Sequence, residues 1–319
     1  METNSQRDIA GLPTRVENVI TDLDLSVCIV TYKARDMLDS CLQSLYENSS
    51  KLNLEVIVTD NGSDDGTVEM LQREFPAVFI IENGRNLGFS KPMNQALRVS
   101  QGNYALLLNP DTIVLPQAFD RLINFMGSHP GVGICGPKVL NSDYTLQKSC
   151  RRGESRPWAV ISYFTGLARL FPKSKFFGEY LMNYMDENET HVVAGVAGSC
   201  MLIRKELFDQ IGYLDELFFA YQEDADYCHR ARQAGWKVYY LPEAQIIHYG
   251  GQGGSRVDPY RSIIEWHRSY WLYYRKNLAS DYFFLFNWVY YLAMAVKLIS
   301  ALLINFFRRE KFAGPRRKI

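Results

Sequence analysis

Apolar and polar positions alternate between two periods through the first third of the chain. Residues 25–31 form a continuous apolar, β-branched run, the pattern of a strand buried on both faces. Leu38, Leu42 and Leu45 then recur at spacings of three and four, which predicts a helix. Residues 54–59 read as a second buried strand, closed by the polar turn Asp60-Asn-Gly-Ser-Asp-Asp-Gly66. Helices over 68–75 and 93–99 bracket a third strand at 78–81, and 104–108 is a fourth. This alternation predicts an α/β domain, its sheet mostly parallel and flanked by helices. In such sheets ligands sit beyond the carboxyl ends of the strands. Those ends carry Thr31-Tyr32, Asp60-Asn61 and Asn109-Pro-Asp111. The second half is less regular. Residues 195–203 are small and apolar, 215–234 alternate aromatics and acids ahead of a helix, and 236–241 and 245–248 read as two short strands.

The ends differ from this body. Residues 1–22 are polar, without the apolar segment of a cleaved signal peptide, and read as a flexible lead-in. The body spans 23–275, and 276–319 form an apolar helix with a basic tail. The apolar stretch 282–307 is long enough to cross a bilayer at ~1.5 Å per residue. Asn287, Lys297 and Asn305 interrupt it within an arc of roughly 80° at 100° per residue. That arc predicts a helix lying in the membrane interface, or spanning with one face against protein. A dimer interface is the competing use of the apolar face. The tail, with Arg308, Arg309, Lys311, Arg316, Arg317 and Lys318 against Glu310 alone, favours anionic headgroups.

Composition narrows the class. The 319 residues are 47% hydrophobic and 22% charged with zero formal net charge, so the chain is globular and has no global field for nucleic acid. Six scattered cysteines show no zinc-ligand spacing and fit a reducing compartment. The catalytic body is therefore expected in the cytosol, at the cytoplasmic face of the cell (inner) membrane.

Four motifs could carry chemistry, and each has a plainer reading. Asp111, past a proline-stiffened turn at a strand end, suits a hard divalent cation on a diphosphate, or simply a helix cap. Asp60 and Asn61 can bond a nucleobase edge or ribose, or only shape a turn. Glu223 and Asp224 follow an aromatic run, where a half-apolar pocket makes a general base; acids also gather in the first turn of any helix. His248 precedes a glycine-rich loop with Arg256, suited to metal and phosphate or to ordinary structure. All four fall at predicted strand ends, in an order one pocket can accommodate.

The segments SVCIVTYKARDMLDSCLQSL, VIVTDNGSDDGTVEML, NGRNLGFSKPMNQAL, LLLNPDT, AGSCMLIRKELF, DELFFAYQEDADYCHRARQAGWKV and IIHYGGQGGS resemble glycosyltransferase family 2, the inverting enzymes with the GT-A fold. They cover residues 24–256, and the NPDT and QED wording is closest to the rhamnosyltransferase-like branch of cell-surface polysaccharide assembly. The resemblance implies a nucleoside site at Thr31, Tyr32, Asp60 and Asn61, under a loop holding Asn86 and Gly88. It implies Asp224 as catalytic base beside Glu223, Asp111 and His248 as ligands of Mg²⁺ or Mn²⁺, and Gly198 and Ser199 facing the acceptor. Asn109 stands where the family's D-x-D motif has its first Asp, so it is expected to contact the donor, as is Arg256. The implied reaction moves a hexosyl or deoxyhexosyl group, rhamnose in the narrower match, from a dTDP- or UDP-linked donor to a lipid-linked or glycan acceptor. An inactive nucleotide-sugar-binding scaffold at the membrane and a nucleotidyltransferase are the alternatives. The second lacks the expected early glycine-rich basic loop in residues 25–45.

Overall fold

A computed structural model describes residues 23–49, 51–251 and 257–307. The N-terminal lead-in, Arg256 and the basic tail lie outside the described residues. Eleven strands and eleven α-helices occur among them. The first layer runs β1 (Leu25–Thr31), α1 (Arg35–Asn48), β2 (Leu54–Asp60), α2 (Thr67–Glu74), β3 (Phe79–Glu82), α3 (Ser90–Val99), β4 (Tyr104–Leu108) and β5 (Thr112–Val114). There follow α4 (Ala118–Ser128), β6 (Val132–Leu140), β7 (Arg151–Arg152), α5 (Pro157–Thr165), α6 (Leu167–Leu170) and α7 (Lys175–Gly178). The chain continues through β8 (His191–Val192), β9 (Gly195–Val196), β10 (Cys200–Arg204), α8 (Glu206–Ile211), α9 (Glu223–Gln233) and β11 (Lys237–His248). Two helices close it, α10 (Pro259–Asn277) and α11 (Phe284–Phe307).

The main sheet is ordered β3-β2-β1-β4-β10-β6-β11-β5, with β8 on β11. Its first four strands are parallel, as the alternation predicts. Beyond β4 the sheet becomes mixed, because β10 pairs antiparallel with both β4 and β6 while β11 is parallel to β6. The two short strands expected at 236–241 and 245–248 are one strand, β11, whose register slips between Leu241 and Gln245. Pro242 cannot donate to a ladder, so the pairing skips it and resumes. Every residue of β1 is buried, which accounts for its uninterrupted apolar run.

A second apolar core lies away from the sheet. It joins Ala159 and Val160 of α5, Tyr180, Phe218, Tyr270, Tyr273 and Tyr274 of α10, and Tyr290 and Met294 of α11. The interrupting polar residues of α11 face this protein side. Asn287 bonds the Tyr274 hydroxyl and donates to Ala279 O at 3.0 Å, Lys297 Nζ sits 3.8 Å from the Trp266 ring centre, and Asn305 is buried. These contacts run from the start of the helix to its end, so α11 lies along the body. Its other face is bare, with Phe284, Leu285, Trp288, Val289, Leu292, Val296 and Ile299 exposed.

Candidate active site

The parallel half of the sheet aligns the first group of residues. β1 and β2 end together, with Thr31 opposite Asp60. Asp60 Oδ2 accepts from the N–H groups of Gly62 and Ser63, both at 2.9 Å, closing the turn. Its Oδ1 is buried and, among the described residues, has no partner, like Thr31 Oγ1. Such an acceptor costs about 1–3 kcal/mol unless something bonds it, and a base or ribose edge can. Asn61 Nδ2 donates to Gly88 O at 2.7 Å, and Asn86 Oδ1 accepts from Gly88 N at 2.9 Å. The Asn86–Gly88 loop is thereby held over the turn. Gly88 sits at φ +91, and a side chain there would collide with Phe219. Phe89 N donates to Phe219 O at 2.6 Å, tying the loop to the chain that leads into the acids. Tyr32 lies in the adjacent turn, half-buried beside Lys33.

The second group forms where β4 and β11 end and β10 begins. His248 Nε2 lies 3.1 Å from Asp111 Oδ1 and 3.2 Å from Asn109 Nδ2. The opposite ring nitrogen, Nδ1, is 2.8 Å from Gln147 Oε1. Gln147 Nε2 faces two acceptors, Asn141 Oδ1 and His248 O, each at 3.3 Å. Turning the amide over would set oxygen against oxygen, so Oε1 accepts and Nδ1–H donates. Nε2 then faces both the Asn109 amide, which can donate to it, and the Asp111 carboxylate. One carboxylate and one imidazole, with oxygens from phosphates and water, make a ligand set that suits Mg²⁺ or Mn²⁺. Among the described residues, no cluster of three or more His, Cys, Asp or Glu side chains surrounds this point.

The third group is the acidic pair. Tyr221 and Gln222 both hold left-handed backbone, φ 69 and 64, immediately before α9. Two consecutive non-glycine residues there are strained, and the strain sets Glu223 and Asp224 on the first turn of α9, facing inward and buried. Asp224 Oδ2 accepts from Arg152 at 2.5 Å and from Gly198 N at 2.8 Å, and Oδ1 accepts from Ala225 N at 2.7 Å. Glu223 Oε2 is buried and unpartnered among the described residues. Burial, and then the neighbouring Asp224 charge, push the Glu223 carboxyl up to about 8. Glu223 is thus protonated near neutrality, and the two acids are chemically distinct.

The groups connect. Gly198 binds Asp224, Ser199 O accepts from Asn109 N at 3.0 Å, and Asn109 meets His248. Ser199 is buried with its hydroxyl unpartnered among the described residues, on the same rim. Arg256 falls outside the described residues. Reasoning from sequence missed Gln147 and Arg152. Gln147 carries no motif, and Arg152 stands in an irregular region, 72 residues from its carboxylate. Asp65, by contrast, has a local role, accepting from the Thr67 N–H and hydroxyl where the chain turns into α2.

The family profile described as Glycosyl transferase family 2 matches residues 26–212, more than half of the chain. The chain belongs to glycosyl transferase family 2. An N-acetylglucosaminyl-diphospho-decaprenol L-rhamnosyltransferase of Mycobacterium tuberculosis is 28% identical over 80% of this chain and 84% of its own length. Rhamnosyltransferase WbbL of Escherichia coli is 24% identical over 80% of this chain and 94% of its own. The fold resembles a mannosyltransferase from Pyrobaculum calidifontis, solved with GDP-Man and Mn²⁺, with a TM-score of 0.55, 16% identity, and 89% of this chain and 76% of that one covered. It also resembles GalNAc-T7, solved with UDP, GalNAc and Mn²⁺, at a TM-score of 0.52 and 17% identity over 71% of this chain and 43% of that one. The protein is a glycosyltransferase with the GT-A fold, related to these rhamnosyltransferases. The nucleotidyltransferase alternative falls with that membership.

Proposed function

We propose that this family 2 glycosyltransferase transfers a deoxyhexose, rhamnose from a dTDP donor, to a hydroxyl of a lipid-linked or growing glycan acceptor, with inversion at the anomeric carbon. The observation that carries the reading is the chain of contacts from Asp224 through Gly198, Ser199 and Asn109 to His248 and Asp111. Asp224 and the Asp111–His248 pair are linked by neighbouring contacts, which supports a general base acting beside a cation-and-diphosphate site. Asp60 and Thr31 receive the base and ribose, with Tyr32, Asn61, Asn86 and Gly88 forming the rest of the nucleoside wall. A uracil edge would satisfy Asp60 as thymine does, so UDP donors fit the same contacts.

The acceptor hydroxyl is deprotonated by Asp224 as its oxygen bonds the anomeric carbon and the bond to the diphosphate breaks. Oδ2 is engaged twice, by Arg152 and Gly198, and Oδ1 once, by the Ala225 N–H, so Oδ1 keeps the spare lone pair that takes the proton. Glu223, protonated near neutrality, donates a hydrogen bond to the substrate rather than acting as a second base. Asp111 and His248 would hold a Mg²⁺ or Mn²⁺ ion, which neutralises the departing diphosphate. Asn109 and Gln147 keep the imidazole presented to that side.

The bare face of α11 supports attachment to a membrane surface, with the helix lying in the interface because its polar face is used along its whole length. The catalytic body is then at the cytoplasmic face. Dimerisation through the same face is the rival use. A donor-hydrolysis and transfer screen over UDP-, dTDP- and GDP-sugars, with and without Mn²⁺, tests the assignment. Turnover of dTDP-rhamnose that requires the ion is expected. Nucleotide binding without turnover of any donor would favour the scaffold reading.

A further inference from the structure

Residues 155–178 form an excursion whose two faces differ. Inward, Ala159 and Val160 are buried in the aromatic core shared with α10 and α11, and Phe164 packs edge-on to Trp266 at 5.7 Å. Lys297 of α11 also lies 4.3 Å from the Phe164 ring centre, so the excursion and α11 are adjacent. Outward, Trp158, Ile161, Leu170, Phe171 and Phe176 are exposed, Leu170 by 70% and Phe176 by 60%. The segment holds four cations, Arg156, Arg169, Lys173 and Lys175, and no acid. Arg156 is 3.6 Å from Asp281, and the other three are exposed.

An apolar surface ringed by unopposed cations is poorly suited to water and well suited to a boundary between acyl chains and anionic headgroups. We propose that residues 155–178 are a second lipid-contacting element, which seats together with α11 on an anionic membrane surface. The proposal rests on the membrane reading of α11, whose bare face it extends. Charge selects the occupant. A protein partner buried against this face would have to match three cations, whereas an anionic bilayer does so wherever it is met.

The placement has a consequence for chemistry. The excursion leaves the body immediately after Arg152, the partner of Asp224, and returns at Tyr180, whose hydroxyl bonds Tyr270. Gly153 N donates to Tyr180 O at 3.2 Å and staples the two ends. The root of the lipid-contacting element is therefore beside the base, and an acceptor anchored in lipid would reach Asp224 along it.

All six native cysteines are buried, so an introduced surface cysteine can be labelled selectively. The full chain carrying Leu170→Cys, Leu292→Cys or Tyr144→Cys is coupled to a polarity-sensitive dye and mixed with phosphatidylglycerol-rich or phosphatidylcholine vesicles. Positions 170 and 292 should both shift to the blue with the anionic vesicles, and position 144, on the β6 turn, should not. Arg169→Glu/Lys173→Glu/Lys175→Glu should weaken vesicle binding about 100-fold, with an unchanged melting temperature. A shift at 292 alone would overturn the proposal while leaving α11 on the membrane. No shift at either position would overturn both readings. A shift at 170 that follows protein concentration without vesicles would assign the face to a protein partner instead.

Discussion

The proposed donor side and the proposed acceptor side of the site are built by different means. On the proposed donor side, β1, β2 and β4 run parallel, and each proposed role falls to a residue at or just past a strand end: Thr31, Asp60, Asn109, Asp111. Backbone ladders set their relative positions, so little else is needed. On the acceptor side, Asp224 depends on two left-handed residues before it, an arginine 72 positions earlier and a backbone N–H of Gly198. A site assembled from strand ends tolerates substitution around it. One assembled from strained backbone and a buried ion pair does not. The donor side should therefore lose affinity when altered, and the acceptor side should lose rate or stability.

The largest effect is expected from Asp224→Asn. The amide keeps an acceptor for Gly198 N but takes no proton, so transfer should fall about 10³-fold while calorimetry shows unchanged dTDP affinity. Equal loss of both would erase the distinction between the two sides. Next, Arg152→Met leaves the Asp224 carboxylate buried without its cation. Breaking a buried pair of this kind costs about 3 kcal/mol, and a thermal melt should fall by about 2–4 °C for each kcal/mol. Arg152→Lys should recover part of that loss.

Asp60→Asn gives a smaller change, confined to affinity. Its Oδ1 can still close the turn, but an N–H replaces the acceptor that meets the base, raising the donor Kd about 10–100-fold with kcat preserved at saturation. The last effect, read as a pH slope, concerns Glu223. Its folded carboxyl titrates at about 8 against an ordinary value of 4.5, for reasons of burial first and Asp224 second. The folded chain holds a proton that the unfolded chain has released, so this contribution is complete below the unfolded value and lost as pH rises through the folded one. Melting temperature should decline between about pH 4.5 and 8, and Glu223→Gln should flatten that decline.

The same contrast explains what could be read from residues alone. Runs such as 25–31 and 104–108 are apolar because both faces of the sheet are covered, so strand positions and the motifs at their ends were legible. The arc of Asn287, Lys297 and Asn305 was legible too, because helical period alone brings them to one side. The mixed half of the sheet was not, since β10 enters antiparallel between β4 and β6 without any local sign of direction. Nor were Arg152 and Gln147, whose roles are contacts across 72 and 101 residues. The excursion at 155–178 escaped for another reason. Its short helices bury one face in an aromatic core and expose the other, so no single period dominates.

The claim on which the rest depends is that Asp111 and His248 form a diphosphate-facing cation site that Asp224 borders without belonging to it. Titrating dTDP into wild type, Asp111→Ala, His248→Ala and Asp224→Asn, each with and without Mn²⁺, measures this directly. The ion should tighten dTDP binding in wild type and in Asp224→Asn, and should have no effect in the other two variants. An equal Mn²⁺ enhancement in Asp111→Ala and His248→Ala, or its loss in Asp224→Asn, would contradict the account.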